Sequence, residues 1–335
     1  MKLSTPRWWY VKSGAPSPIT RALLTPLSWI WAASTARRLA RTTPREPGVP
    51  VICVGNVTVG GTGKTPIVRE LLLTLARRGL AAHGLARGYG GSRKGPTRVE
   101  PGRHTAADVG DEPLMLAQDF PIWVARDRAE GALAAARAGA GVVVMDDGHQ
   151  NPTVRKTLSL VVVDGETRGD EWPFGDGKVF PAGPMREPLK VGLARADAVI
   201  LLLPADLLSA DPALLAMFGQ TPVLIARLEA ASPVPKGPQM GFAGVGKPWK
   251  VERALLAAGC SLVDFAPFPD HGVYDDATLT MLAERAKLYD AGLVTTEKDW
   301  VRLSPEWRAK VTPWPVRARF EDEAALETLL AAVGL

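Results

Sequence analysis

The chain is 335 residues long, enough to bury one large α/β core or two modest ones, and two suits the length better. Hydrophobic residues make up 46% and the mean hydropathy is +0.03, which excludes a protein built of membrane-spanning helices. The net charge of +5 is one-ended: residues 1–45 hold eight Lys/Arg and no acid, so the remainder of the chain is net acidic.

Those eight are Lys2, Arg7, Lys12, Arg21, Arg37, Arg38, Arg41 and Arg45, and the same stretch carries Trp8, Trp9, Trp29 and Trp31. Tryptophan flanked by arginine suits the headgroup layer of an anionic membrane, where an amphipathic ring finds both of its solvents. The longest uncharged stretch, residues 22–36, contains Pro26 and is too short to cross a bilayer. A secretory leader is not expected either, because it would separate the nucleotide site described next from its ligand. Leu23, Leu27, Ile30 and Trp31 share one helical face, which either lies on a membrane surface or packs on the body of the protein. No nucleic-acid reading module accompanies the patch, so nucleic acid is not an expected partner.

An apolar run at 51–54 leads into Gly60-Gly61-Thr62-Gly63-Lys64-Thr65-Pro66-Ile67, and a helical pattern over 65–78 follows with Leu71, Leu72 and Leu75. Strand, glycine-rich turn, Gly-Lys-Thr and helix is the order of a phosphate-binding P-loop. Glycines let backbone N–H groups surround phosphate oxygens, and the new helix points its positive end at them. The expected nucleotide contacts are Thr58, Val59, Gly60, Gly61, Thr62, Gly63, Lys64, Thr65 and Pro66. Lys64 is expected on the β/γ-phosphates and the Thr65 hydroxyl on Mg²⁺. Thr58 stands where the first glycine of such loops usually lies, with Gly55, Gly60 and Gly61 keeping the turn permissive.

Further strands are predicted at 81–86, 121–124, 141–145, 158–163 and 198–203, with helices near 112–118 and 127–138. Short aliphatic strands alternating with helices predict a mostly parallel sheet covered on both faces. After the Pro-rich stretch 232–238 a smaller α/β unit is predicted, with strands at 240–245, 261–265 and 292–296 and helices at 249–258, 276–288 and 321–333. The expected organisation is a basic surface segment (1–45), a P-loop domain (46–230) and a smaller C-terminal domain (231–335). Residues 90–105 and 165–185 read as long loops. Cys53 and Cys260 are too few for a disulfide framework and are expected reduced and buried, in a cytosolic compartment.

Ligands of parallel sheets gather beyond the carboxyl ends of the strands, so residues placed there carry the chemistry. The strand at 141–145 ends in Asp146-Asp147, which is either turn chemistry or, beside a P-loop, the acid that reaches Mg²⁺. Gly110-Asp111-Glu112-Pro113 either caps a helix or turns Asp111 or Glu112 toward the γ-phosphate. Arg87 and Tyr89 sit between glycines after a strand, in a plain turn or touching phosphate or sugar. Asp270-His271 follows a strand end in the second unit, where the imidazole can assist proton removal from a hydroxyl. Glu187, in Met185-Arg186-Glu187-Pro188, either caps a helix or contacts metal or acceptor. Thr295-Thr296-Glu297-Lys298-Asp299 also follows a strand, but its chemistry alone assigns it no role.

Taken in this order, the motifs resemble the tetraacyldisaccharide 4′-kinase family of the Gram-negative lipid A pathway over almost the whole chain. The resemblance rests on the tryptophan-rich start, on Gly55-Asn56-Val57-Thr58-Val59 leading into the P-loop, and on Arg87-Gly88-Tyr89-Gly90. It continues through Gly110-Asp111-Glu112-Pro113, Asp146-Asp147-Gly148, Arg186-Glu187-Pro188, Phe242-Ala243-Gly244, Asp270-His271 and Thr296-Glu297-Lys298-Asp299. It accounts for Thr58, since the family's loop carries Ser or Thr there. The resemblance implies transfer of the ATP γ-phosphoryl group to the 4′-hydroxyl of an acylated glucosamine disaccharide 1-phosphate. It also implies a monotopic enzyme on the cytoplasmic face of the inner membrane, with an anionic membrane surface as partner; a monomer is expected.

Carried over by position, Asp111 and His271 form a proton-abstracting pair and Asp146 is the acid near Mg²⁺. Glu112, Asp147 and Glu187 are further polar site residues, with Glu187 expected on the metal. Two positions depart from the family pattern: His149 replaces an aromatic after Asp-Asp-Gly, and Gly272 replaces a second histidine after His271. Two other classes fit a P-loop chain with a membrane-facing start. One is an ATPase or GTPase switch using water as acceptor, and the other is a non-catalytic nucleotide-binding scaffold.

Overall fold

A computed structural model describes residues 7–12, 18–169 and 171–335, with only the backbone for Arg7, Trp8 and Pro18. Lys2 and the side chains of Arg7 and Trp8, expected in the basic surface patch, lie outside the described residues. The first strands are β1 (Val51–Gly55), β2 (Ala82–Ala86), β3 (Thr97–Arg98), β4 (Ile122–Val124), β5 (Val142–Asp146), β6 (Leu158–Asp164), β7 (Ala198–Pro204) and β8 (Val223–Ala230). After the Pro-rich stretch come β9 (Pro238–Ala243), β10 (Ser261–Pro267), β11 (Gly292–Thr296), β12 (Val311–Trp314) and β13 (Val316–Phe320).

Nine of these form one sheet in the order β13-β8-β7-β6-β1-β5-β2-β4-β3. It is parallel through its centre and antiparallel only at the two outer pairs, β13 with β8 and β3 with β4. The aliphatic strands explain this. A strand buried on both faces has no polar side to turn outward, and β1 and β5 are buried at every position. Successive side chains of β1 alternate between two cores: Ile52 and Val54 meet Ile67, Leu71 and Leu75, whereas Val51 and Cys53 meet Ala129, Ala132 and Ala135. Both cysteines are buried and free. With β1 between β5 and β6, the P-loop emerges flanked by the carboxylates that end those strands.

The second sheet runs β10-β9-β11-β12 and is parallel throughout. Its core gathers Met240, Phe242, Leu279, Leu282 and Leu293. The chain does not end in this unit. Pro315, which lacks an N–H for the ladder, separates β12 from β13, and β13 crosses back to pair with β8 in the large sheet. The closing helix Glu323–Ala331 buries Leu326 and Leu330 in the large core. The 231–335 unit expected from the sequence is thus divided: residues to Trp314 build the small sheet, and those from Val316 complete the large one.

The long N-terminal helix α1 (Pro18–Arg41) packs one side on the 176–186 loop. Ser28 Oγ donates to the Val179 carbonyl at 2.7 Å and accepts from Ala182 N at 3.1 Å, while Arg21 pairs with Asp176 at 3.1 Å. The opposite side leaves Ile19, Leu23, Leu27, Trp29 and Ile30 exposed. Trp31, expected on that face, turns to the margin, where its ring meets Phe180 and its Nε1 donates to the Arg186 carbonyl at 3.0 Å. Among the described residues, no helix is long and apolar enough to cross a membrane.

Candidate active site

The P-loop owes its shape to backbone that only glycine adopts without strain: Gly60 and Gly63 have φ of 93° and 76°. A Cβ on Gly63 would also lie 2.3 Å from Leu202 Cδ2, so the turn sits directly over β7. Thr58 needs no glycine because it forms an isolated antiparallel bridge with Met185, an extended conformation open to any residue. The loop is anchored from outside: Arg186 Nε donates to the Thr58 carbonyl at 2.9 Å, and Tyr10 donates its hydroxyl proton to the Val59 carbonyl at 2.5 Å. Asn56 Nδ2 donates to Thr62 Oγ1 at 3.2 Å. The helix α2 (Lys64–Arg77) then starts at Lys64, with Thr65 and Pro66 in its first turn.

Lys64 Nζ lies 3.5 Å from Asp147 Oδ1, and Arg186 binds the same oxygen at 2.7 Å. Desolvation works against the Asp147 charge, but Lys64 and Arg186 outweigh it and hold the carboxyl well below the usual carboxylate range. Asp146, one residue earlier, is buried at the end of β5, and its Oδ1 has no hydrogen-bond partner. Burial first, then the charge of Glu112, pushes its carboxyl up to about 7, against Lys64. A buried carboxyl oxygen without a partner beside a P-loop lysine suits a cation, so the residues present fit a divalent ion. No group of three or more His, Cys, Asp or Glu among the described residues forms a metal cage. A P-loop ion needs none, since the Thr hydroxyl, one acid and the phosphates supply its oxygens.

Across the cleft, His271 Nδ1 lies 2.8 Å from Asp111 Oδ2. Gly110 (φ 91°) makes the sharp entry that brings Asp111 to a helix start, and a Cβ there would be 2.7 Å from the Tyr89 carbonyl. His271 itself has φ 56°, and the exposed Tyr89 ring lies 5.2 Å from the imidazole. Burial pushes the Asp111 carboxyl upward, but the His271 hydrogen bond and the charges of Lys298, His271 and Arg302 hold it at about 2. The small domain also reaches the P-loop directly: a Cβ on Gly246 would lie 3.4 Å from Gly61 N and 3.6 Å from Asp270 Oδ2. Three further ion pairs span the cleft, Arg69 to Glu297 at 2.7 Å and both Lys247 and Lys250 to Asp164 at 2.8 Å.

Some expected residues have other occupations. Glu187 is buried, and Arg195 contacts both its oxygens, at 2.7 and 2.8 Å, while Gln150 donates to it at 2.9 Å. Both oxygens of the carboxylate expected on the metal are thus engaged by Arg195. Arg87 is exposed at the end of β2. His149 is fully buried between Ser159 Oγ at 3.2 Å and the Gly192 carbonyl at 2.9 Å. Burial, reinforced by Arg195 and Lys156, lowers its imidazole to about 4, so it is a neutral core residue. Gly272 closes a turn in which a Cβ would lie 2.9 Å from the Pro269 carbonyl, so a second histidine there would require the turn to shift.

Three residues named in the sequence motifs without a role also stand at this cleft. Asp299 is fully buried and accepts from Tyr274 at 2.7 Å, from Gly244 N at 3.0 Å and from Arg302, tying together the loops that carry Gly246 and His271. The others are Lys298, which binds Glu112 at 3.0 Å, and Arg186. Chemistry alone offered for the first two only a run of polar residues beyond a strand end.

A sequence profile described as tetraacyldisaccharide-1-P 4′-kinase matches residues 20–334. A tetraacyldisaccharide 4′-kinase of Caulobacter vibrioides is 76% identical over 335 residues, covering all of both chains. That of Phenylobacterium zucineum is 66% identical, covering 99% of this chain and all of its own. Among solved structures, LpxK from Aquifex aeolicus, crystallised in complex with ATP, superposes with a TM-score of 0.75 at 26% identity. That match covers 94% of this chain and 99% of the Aquifex protein. With a P-loop, a strand-end acid and a cross-cleft carboxylate–imidazole pair in one fold, and with these matches spanning the chain, the protein belongs to the tetraacyldisaccharide 4′-kinase family.

Proposed function

We propose that this chain transfers the γ-phosphoryl group of ATP to the 4′-hydroxyl of a tetraacyl glucosamine disaccharide 1-phosphate in lipid A biosynthesis. The observation that carries the reading is the Asp111–His271 pair at 2.8 Å, with one member from each domain. A sugar hydroxyl is a poor nucleophile, and a paired carboxylate beside the P-loop is a suitable acceptor for its proton. As the hydroxyl oxygen bonds to the γ-phosphorus, the bond from phosphorus to the β,γ-bridging oxygen breaks, the proton passes to Asp111, and ADP is released. Lys64, the loop amides and the positive end of α2 oppose the charge on the transferring group. Thr65 and Asp146 are the residues that would hold Mg²⁺, which when bound neutralises phosphate charge. Arg186 supports the loop and Asp147. Tyr89 and Glu112, at the mouth of the cleft, are the side chains we assign to the acceptor side.

The acceptor's acyl chains cannot leave a bilayer cheaply, since each CH₂ exposed to water costs about 0.8 kcal/mol. The enzyme must meet it at the membrane, and α1 suits that task, with Ile19, Leu23, Leu27 and Ile30 exposed on one face and Arg37, Arg38 and Arg41 exposed at its end. The proposed setting is the cytoplasmic face of the inner membrane, where ATP is available. A monomer suffices, because one chain supplies both halves of the site.

Purified protein given labelled ATP, Mg²⁺ and detergent-dispersed acylated disaccharide 1-phosphate should put label on the lipid. Label appearing only as free phosphate, with or without lipid, would instead favour a hydrolysing switch. The membrane role has its own check. The double variant Leu23→Glu/Ile30→Glu should lose sedimentation with vesicles of zwitterionic and anionic lipid while remaining folded; unchanged partitioning would remove α1 from that role.

A further inference from the structure

We infer that Lys298 is a positioning residue for the transfer reaction: its ammonium fixes the tautomer and charge of the Asp111–His271 pair. The inference rests on Asp111 being the proton acceptor and adds to that reading.

Lys298 sits on the short helix Glu297–Trp300, which begins where β11 ends and is capped by Thr296, whose side chain accepts from Asp299 N. The four polar residues of this run divide their tasks: Thr296 caps, Glu297 binds Arg69, Asp299 holds the Gly244 and Tyr274 loops, and Lys298 points at the pair. Its side chain is only 17% exposed, and Nζ lies 3.0 Å from Glu112 Oε1, 3.3 Å from Asp270 Oδ1 and 3.5 Å from His271 Nε2. Glu112 belongs to the large domain and Asp270 to the small one, so one ammonium joins both walls of the cleft.

An ammonium has three protons and no lone pair, so it can only donate. Facing Nε2, it asks that nitrogen for a lone pair, which leaves the ring proton on Nδ1, where Asp111 Oδ2 accepts it at 2.8 Å. The arrangement therefore keeps Asp111 as the anion, with the ring proton on the nitrogen that faces it, which is the state able to take a proton from a hydroxyl. The charged groups around the pair are Glu112 on the helix of Asp111, Asp270, whose Oδ1 lies 3.7 Å from His271 Nε2 but is itself engaged by Lys298 at 3.3 Å, and Arg302, whose Nε lies 3.8 Å from Asp111 Oδ2. The Tyr89 ring lies 5.2 Å from the imidazole. Glu112, Asp111 and Asp270 in turn keep Lys298 charged, shifting its ammonium upward against burial.

The test compares Lys298→Met and Lys298→Arg with the unaltered chain in the labelled-ATP assay across pH. Lys298→Met should lower kcat by roughly 10- to 100-fold with little change in KM for ATP. Its acid limb should rise by about 1–2 pH units, because removing a cation next to the pair lets it take a second proton more readily. Lys298→Arg, which keeps the charge, should leave that limb in place. A Lys298→Met enzyme with full kcat, or with reduced kcat and an unmoved acid limb, overturns the inference. Should that variant not fold, ¹⁵N-histidine spectra of the unaltered protein decide: His271, assigned by the signal lost in His271→Gln, must show the Nδ1–H form, and an Nε2–H form overturns it. Asp111→Asn run in parallel separates the two levels. If it retains transfer, Asp111 is not the acceptor and both readings fall. If it is inactive while the acid limb of Lys298→Met stays put, only the Lys298 assignment falls.

Discussion

Lys64→Ala lowers kcat/KM for phosphoryl transfer by about 10²–10³, the scale on which a preorganised charge aimed at the transition state acts. The structure gives the reason. Lys64 is the first residue of α2 and rests 3.5 Å from Asp147, so its ammonium is already drawn to the mouth of the P-loop by a fixed carboxylate. Removing it deletes a cation from the phosphates and leaves Asp147 with Arg186 alone. The carboxyl of Asp147 should then move back toward the ordinary range, since Lys64 is the first of the two cations that hold it down. Steady-state kinetics with the lipid acceptor checks the first effect. An unaltered kcat/KM would remove the phosphate-binding assignment and with it the proposed reaction.

Asp111→Asn is the second large effect, lowering kcat by about 10²–10⁴, the range of general-base contributions, with ATP binding nearly unchanged. His271→Ala should act through the same carboxylate and fall less, by roughly 10- to 100-fold, as loss of a charge-assisted hydrogen bond would. The pH dependence follows from the same contacts. The Asp111 carboxyl is held at about 2, so the unaltered enzyme keeps its acceptor ionised well into the acid range. Without His271 the largest favourable contact is gone, the carboxyl rises, and activity is lost at higher pH as protons are added. The acid limb of the kcat profile measures this directly. A His271→Ala enzyme that only raises KM for ATP would place the imidazole on the nucleotide instead.

Legibility in the sequence tracked how local the physics was. The P-loop and the strands β1, β5, β6 and β7 could be read because glycine spacing and unbroken aliphatic runs report on the backbone within a few residues. Strand β13 was missed although Ala318 and Phe320 alternate with exposed Arg317 and Arg319, because a short alternating run after Pro315 gives no hint of which sheet will receive it. Glu187 drew a metal role from its place in a Gly/Pro-rich loop, and only the folded chain brings Arg195 and Gln150 against it. The Thr-Glu-Lys-Asp run was visible but mute, since its Glu297, Lys298 and Asp299 side chains act on residues far away in the chain.

By itself the sequence determined the parallel α/β core, the phosphate-binding turn, the strand-end acids and the basic, tryptophan-rich start, because each follows from residue types a few positions apart. The tertiary structure alone decided which acid is left without a partner (Asp146) and which is neutralised (Glu187), since desolvation and pairing depend on neighbours brought from elsewhere. Asp111 and His271, 160 residues apart and paired in the sequence only through the family resemblance, meet at 2.8 Å in the fold, and the fold alone set Lys298 against the imidazole. A proton acceptor's charge state is set by contacts of a few ångströms across a domain cleft, and no spacing along a chain specifies those.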